Sequence, residues 1–276
     1  MGILPSPSRG GQIVTADIEL SRPPALALRS ESMEAQLAGK PQAQTDPHER
    51  RFPSAAVLFD QLGLDIAGAL QAGLAAGRGA SLVVPGGHTP TPLFERLANA
   101  ELDWDDVWVT TGDERWVAAS DESSNERLVR RHLLQGAAAA AQFVGLRNGA
   151  ASAKAGAHAS WSAVAELPRP FDFMLLGMGE DGHVASLFPG SPGLEQALDL
   201  SQPPGCIAMA APAPPTERLS LNLRALLDSR RIAILITGSA KWATYERARA
   251  PGAVAEMPVR ALLRQQNVPL TVYWAP

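Results

Sequence analysis

Leu58, Leu62, Ile66, Leu70 and Leu74 recur at every fourth position, a spacing that marks the buried face of an amphipathic helix. Pro53 and Ser54 supply its start signal, with Ser54 placed to cap, and Gly77 and Gly79 stop it. Beyond that helix the period shortens. Ser81–Val84, Val107–Thr110, Phe173–Leu176, Cys206–Ala210, Ile232–Thr237 and Leu270–Trp274 are short apolar runs. Several have no polar break, as expected of strands covered on both faces. Between them, Pro92–Ala98, Ser123–Leu134, Ser152–Glu166 and Ser239–Ala248 carry helical patterns. This alternation predicts a doubly wound α/β domain around a mostly parallel sheet, joined by right-handed crossovers. In such sheets ligands sit beyond the carboxyl ends of the strands, so the loops after the strands are where chemistry is sought.

Residues 1–50 read differently. They carry prolines at 5, 7, 23, 24, 41 and 47 and show no sustained periodicity. The stretch reads as a mobile extension or a mis-assigned start, with a short strand compatible with Gln12–Val14. Order is expected from about Ser54, giving one domain over 51–276. No internal repeat is present, and Ala137–Ala141 reads as a surface helix end or loop.

Composition narrows the function classes. The chain has 276 residues, 46% of them hydrophobic, enough for one large domain or two small ones. A net charge of −4 and a pI near 5.8 give no basic surplus for nucleic acid. Cations that bind an anion must then be few and placed. Cys206 is the single cysteine, which excludes a disulfide framework and a cysteine-based zinc site. His48, His88, His132, His158 and His183 are scattered without a HExxH pair, so no metal is expected. No apolar run spans a bilayer, and Met1–Leu20 lacks the apolar stretch of a signal peptide. Met1–Ser6 fits the loose myristoylation pattern but has no polybasic second anchor. A soluble cytoplasmic protein is expected, without membrane or nucleic-acid partners, as a monomer or weak homo-oligomer.

Three loops carry candidate chemistry. Pro85-Gly86-Gly87-His88-Thr89-Pro90 follows the first strand and leads into a helix. Its glycines let backbone N–H groups converge on an anion, and Thr89 can donate its hydroxyl. The spacing alone fits a plain turn equally well, and it is neither GxGxxG nor a P-loop. Gly112-Asp113-Glu114-Arg115-Trp116-Val117 follows the second strand. Such charges at a strand end must be paired if buried, so the loop is either a local ion pair or a site wall. Ser123-Ser124-Asn125 then reads as a helix cap whose Asn ties down that loop. Leu175–Pro189 runs from a buried strand into three glycines, two acids and a histidine. A lone histidine is more often structural. Here Asp181 stands two residues before His183 and can fix its tautomer, which makes His183 the better catalytic candidate. Arg218, before a helix, and Lys241, after the strand Ile232–Thr237, each add one cation that in isolation would read as a surface charge.

PGGHTP, GDERWV with SSN, LLGMGEDGHVASLFPGSP, PPTERLSLN and GSAK, in that order from about residue 52 onward, resemble the 6-phosphogluconolactonase family. That family stands within a broader group that includes glucosamine-6-phosphate deaminases. The resemblance implies a Rossmann-like fold and hydrolysis of 6-phospho-D-glucono-1,5-lactone to 6-phosphogluconate, the second step of the oxidative pentose phosphate pathway, with no cofactor. It implies that His183 is the catalytic histidine. It also implies that Gly86, Gly87, His88, Thr89, Arg218 and Lys241 belong to the phosphate region and that Asp113 and Arg115 line the pocket. The family usually has Ser-Gly-Gly-Ser-Thr-Pro where Pro85 and His88 stand here, and Pro85 has no N–H to donate.

Lactone hydrolysis needs a water, a base and support for an oxyanion. Neutral His183 can take the proton, Asp181 can orient the ring, and N–H groups of the glycine loops are candidate oxyanion donors. Ser186 is not in a GxSxG elbow, so direct attack by water is expected rather than a covalent step. The nearest rival is a sugar-phosphate deaminase or isomerase, in which a Glu follows the histidine by five residues. Phe188 holds that position here and cannot do acid–base work. A non-catalytic sugar-phosphate sensor is the rival from another class. His183 with Asp181 argues against it.

Overall fold

The computed structural model describes residues 47–276, so the strand considered at Gln12–Val14 lies outside the described residues. The strands are β1 (His48–Arg51), β2 (Ala80–Val84), β3 (Val107–Thr111), β4 (Asp113–Arg115), β5 (Gln142–Val144), β6 (Phe173–Gly177), β7 (Cys206–Ala210), β8 (Glu217–Leu221), β9 (Ile232–Thr237) and β10 (Leu270–Ala275). The helices are α1 (Ala55–Ala75), α2 (Thr91–Leu97), α3 (Asn125–His132), α4 (Ala153–Ala165), α5 (Leu194–Leu198), α6 (Leu223–Leu226), α7 (Ser239–Arg249) and α8 (Val259–Arg264).

The four-residue spacing of α1 does what it predicts. Leu58, Leu62, Ile66 and Leu70 are fully buried. Ser54 Oγ accepts the N–H of Val57, and Gly77 turns the chain away at φ +71°. Seven strands form a parallel sheet in the order β1-β10-β9-β6-β2-β3-β5. Alternate strand residues enter opposite cores. Leu82, Val84, Phe173, Leu175, Ala233 and Leu235 pack with α1 and α2 on one face. Val83, Met174, Leu176, Ile232, Ile234 and Ile236 pack with α7 and α8 on the other. Burial on both faces is why these strands are unbroken apolar runs.

The sheet starts earlier than expected. β1, sequence His-Glu-Arg-Arg, pairs in parallel with β10 from His48↔Thr271 to Arg51↔Trp274. It carries no apolar signal because it is an edge strand, where charge is the usual choice. Its polar groups are used: Glu49 accepts from Tyr245 Oη at 3.0 Å, and Arg50 pairs with Asp65 of α1. The ordered domain therefore begins within residues 1–50 as the sequence divides them.

Cys206–Ala210 is a strand as expected, but it lies outside the parallel sheet. It is β7 of a small antiparallel sheet in the order β4-β8-β7. β3 reaches β4 through Gly112 alone. Gly112 N–H donates to Val84 O at 3.0 Å and its carbonyl accepts from Leu221 N–H at 2.9 Å, so one residue stitches the two sheets together. The alanine run forms a 3₁₀ turn over Gly136–Ala140, with Ala138 fully buried. No helix among the described residues is long and apolar enough to cross a membrane.

The strand order fixes where a ligand would sit. From β2 the chain moves outward to β3 and β5, then returns to β6 on the other side of β2 and continues to β9 and β10. The loops after β2 and β6 diverge, which opens a crevice at the switch point.

Candidate active site

A cleft of about 290 Å³ opens at that crevice. Its walls come from the loops after β2, β6 and β9 and from the small sheet. Of the residues singled out in the sequence, Gly86, Gly87, Thr89, Asp113, Arg115, His183, Arg218 and Lys241 line it. His88 does not. Gly87 takes φ +84°, and the residue that follows it is exposed, away from the lining residues. Asp181 stands behind His183 rather than on the wall.

The histidine loop is shaped by its glycines. A Cβ at Gly179 would fall 2.1 Å from His183 Nδ1, so only glycine lets the ring lie against the backbone there. Gly179 N–H donates to His183 O at 3.0 Å, which closes the loop. Asp181 Oδ1 accepts the His183 backbone N–H at 3.0 Å and stands 2.6 Å from Nδ1. A carboxylate only accepts, so the neutral ring carries its proton on Nδ1 and keeps a lone pair on Nε2. Burial pushes the Asp181 carboxyl up, but the hydrogen bonds and charge of His183 outweigh it and hold it below its usual range. The Phe188 ring packs on the imidazole with centroids 4.4 Å apart, and Phe188 lines the cleft.

The Asp-Glu-Arg segment divides its labour. Glu114 is fully buried and accepts the backbone N–H groups of Arg115 (2.8 Å), Asn125 (2.7 Å) and Glu126 (2.7 Å) and the Ser124 hydroxyl (3.2 Å). It serves the open N-terminus of α3 and does not reach the cleft. Burial pushes its carboxyl above the usual range despite those donors. Asn125 ties the segment down as anticipated, donating through Nδ2 to Asp113 O at 2.8 Å and to Asp113 Oδ1 at 3.3 Å. Asn125 also lines the cleft, a placement the sequence reading did not make.

The cations converge from three directions. Arg115 and Arg218 are register partners across β4 and β8. Arg218 is only 7% exposed, and its Nε has no hydrogen-bond partner among the described residues. The Arg115 Nε is likewise buried without one, while its Nη1 donates to Ser123 O. Burial, helped by Arg115, lowers the Arg218 pKa, and Asp113 and Glu114 oppose the shift. Lys241, in the first turn of α7, donates to Met178 O. Burial lowers its pKa against the pull of Glu180 and Asp181. Two guanidinium groups facing each other and lacking acceptors make a place for an anion. Among the described residues, no group of three or more His, Cys, Asp or Glu could hold a metal ion.

The family model for glucosamine-6-phosphate isomerases/6-phosphogluconolactonase matches residues 53–274. The chain belongs to this family. A 6-phosphogluconolactonase of Pseudomonas aeruginosa is 46% identical over 224 residues, covering 81% of this chain and 92% of its own. One of Pseudomonas putida is 44% identical over 222 residues, covering 80% and 90%. The crystal structure of a 6-phosphogluconolactonase from Shewanella baltica, 42% identical, superposes with a TM-score of 0.81 over 84% of this chain and 99% of that one. A monomeric glucosamine-6-phosphate deaminase, 17% identical, shares the fold at a TM-score of 0.68. Family membership therefore leaves two chemistries, and the residues around His183 distinguish them.

Proposed function

We propose that this protein hydrolyses 6-phospho-D-glucono-1,5-lactone to 6-phospho-D-gluconate, the second step of the oxidative pentose phosphate pathway. The observation that carries the reading is the Asp181–His183 pair packed against Phe188 at the wall of a cleft lined by cations. Lactone hydrolysis needs one proton-transfer group beside the carbonyl. Deamination with isomerisation needs more, and the ring of Phe188 supplies none. The relatives of highest identity reported above carry the lactonase name.

In the mechanism we infer, His183 Nε2 takes a proton from a water as its oxygen attacks the lactone carbonyl. Asp181 accepts from Nδ1–H and stabilises the imidazolium that forms. N–H groups of the glycine loops support the tetrahedral oxyanion. The intermediate collapses with cleavage of the ring C–O bond. The departing ring oxygen takes the proton from the imidazolium, leaving an open-chain acid and a neutral histidine. Arg218, Arg115, Lys241 and the Gly86–Thr89 backbone hold the phosphate, and that remote contact positions the ring for attack. No cofactor enters the scheme.

Freshly prepared 6-phosphogluconolactone and purified protein test the reading. Hydrolysis above the spontaneous rate, with no ammonia from glucosamine 6-phosphate, is the expected result. Ammonia release without lactonase activity would overturn it in favour of the deaminase.

A further inference from the structure

Ser186 lies three residues beyond His183, is fully buried, and is not part of the cleft wall. Its hydroxyl donates to Asp113 Oδ2 on β4, and its backbone N–H donates to Ser220 Oγ on β8 at 3.2 Å. Asp113 and Ser220 are register partners, so a single residue pins the histidine loop to one rung of the small sheet. Asp113 Oδ1 is taken in turn by Asn125 Nδ2 at 3.3 Å. The Asn125 amide fills the space a side chain at Gly86 would need. A continuous chain of contacts thus runs from the loop after β2 to the loop that carries the histidine.

Between the pin and His183 stand Val184 and Ala185. Ala185 has φ +50°, the left-handed backbone that a Cβ disfavours. Such a conformation persists only where its surroundings over-determine it. Val184, bridged to Met178 and Leu187, restrains one flank, and Ser186 restrains the other. The loop cannot relax at Ala185 without breaking the Ser186 contacts, and a relaxed loop would carry His183 with it.

We propose that Ser186, acting through Asp113, is a positioning residue that holds His183 at a set distance from the anion-binding end of the cleft. The inference rests on the hydrolase reading above. A substrate clamped at its phosphate cannot follow a displaced histidine, whereas an unclamped one can re-seat.

The test compares wild type, Ser186→Ala, Ser186→Thr and Ser220→Ala on 6-phosphogluconolactone and on unphosphorylated gluconolactone. Amide hydrogen exchange over residues 179–188 is measured on the same proteins. Ser186→Ala should lower kcat on the phosphorylated lactone ~10–100-fold, the size of one hydrogen bond to a charged group, with KM little changed. The loss on gluconolactone should be smaller, and exchange in the loop should speed up. Ser220→Ala should show the same selectivity, and Ser186→Thr, which keeps the hydroxyl, should recover most of the rate. Equal losses on both substrates, no loss on either, or unchanged loop exchange in Ser186→Ala would each overturn the proposal. If wild type hydrolyses neither lactone, the hydrolase reading falls, and loop exchange still decides whether Ser186 holds the loop.

Discussion

Arg218→Met separates what the cation does for the substrate from what it does to the fold. Arg218 is 7% exposed, faces Arg115 across the strand pair, and its Nε is unpartnered among the described residues. Burial and Arg115 lower its pKa, so its charged form is disfavoured by the substrate-free fold. Replacing a buried charge by an apolar side chain of similar length is often neutral or stabilising by about 1–4 kcal/mol. The substrate-free variant should therefore melt no lower than wild type. Catalysis should move the other way. Each charge-assisted hydrogen bond contributes roughly 1.5–3 kcal/mol, about one to two powers of ten in binding. kcat/KM on the phosphorylated lactone should fall by at least that factor, and turnover of gluconolactone should not change. Inorganic phosphate gives a second reading. At a hundred times its Kd it should stabilise wild type by about 2.7 kcal/mol, a rise in Tm of roughly 5–10 °C for a domain of this size. It should do far less for the variant. A substrate-free Tm several degrees below wild type, or equal losses on both lactones, would refute the reasoning, because either result makes Arg218 a structural residue.

Three further outcomes are expected. His183→Ala should lower kcat ~10²–10⁴-fold, the usual worth of a general base, with KM changed less; near-normal turnover by a folded variant would remove it from the mechanism. Asp181→Asn should lower kcat in the same direction by a smaller factor. The depressed carboxyl of Asp181 stabilises the fold above the usual aspartate pKa, and that share is lost as pH falls through its folded value. The variant should therefore be less stable than wild type at neutral pH, with the gap closing below about pH 4 in denaturation curves. Finally, a chain beginning at Pro47 should keep its Tm and turnover, whereas one beginning at Phe52 loses the β1–β10 pairing and should melt lower; equal melting of the two would show that β1 contributes nothing.

What the sequence revealed depended on how local its physics was. β2, β6 and β9 were legible because two-faced burial leaves an apolar run of recognisable length. β1 and β4 were not, since His-Glu-Arg-Arg and Asp-Glu-Arg read as loops until the partner strand is known. The Asp181–His183 contact spans two residues and could be anticipated from spacing. The Arg115↔Arg218 pairing depends on the register of an antiparallel sheet that no local pattern encodes. His88 failed for a geometric reason: the left-handed turn at Gly87 sends the next side chain outward, while Thr89 remains at the wall. Ser186 was read only as lacking a nucleophile's motif, and its contact with Asp113, 73 positions away, gave no local sign.

The contact between Gly86 and Asn125 has a consequence for descent. A Cβ at position 86 would lie 1.9 Å from Asn125 Oδ1, and the same amide's Nδ2 holds Asp113. A lineage that gains a side chain at 86 must first give up the amide at 125. One that loses the amide leaves a hollow beside the glycine that a side chain can then fill. Neither position is free to drift alone, so across relatives the two should change together, and any chain that pairs a bulky residue at 86 with asparagine at 125 must have moved one of the two loops.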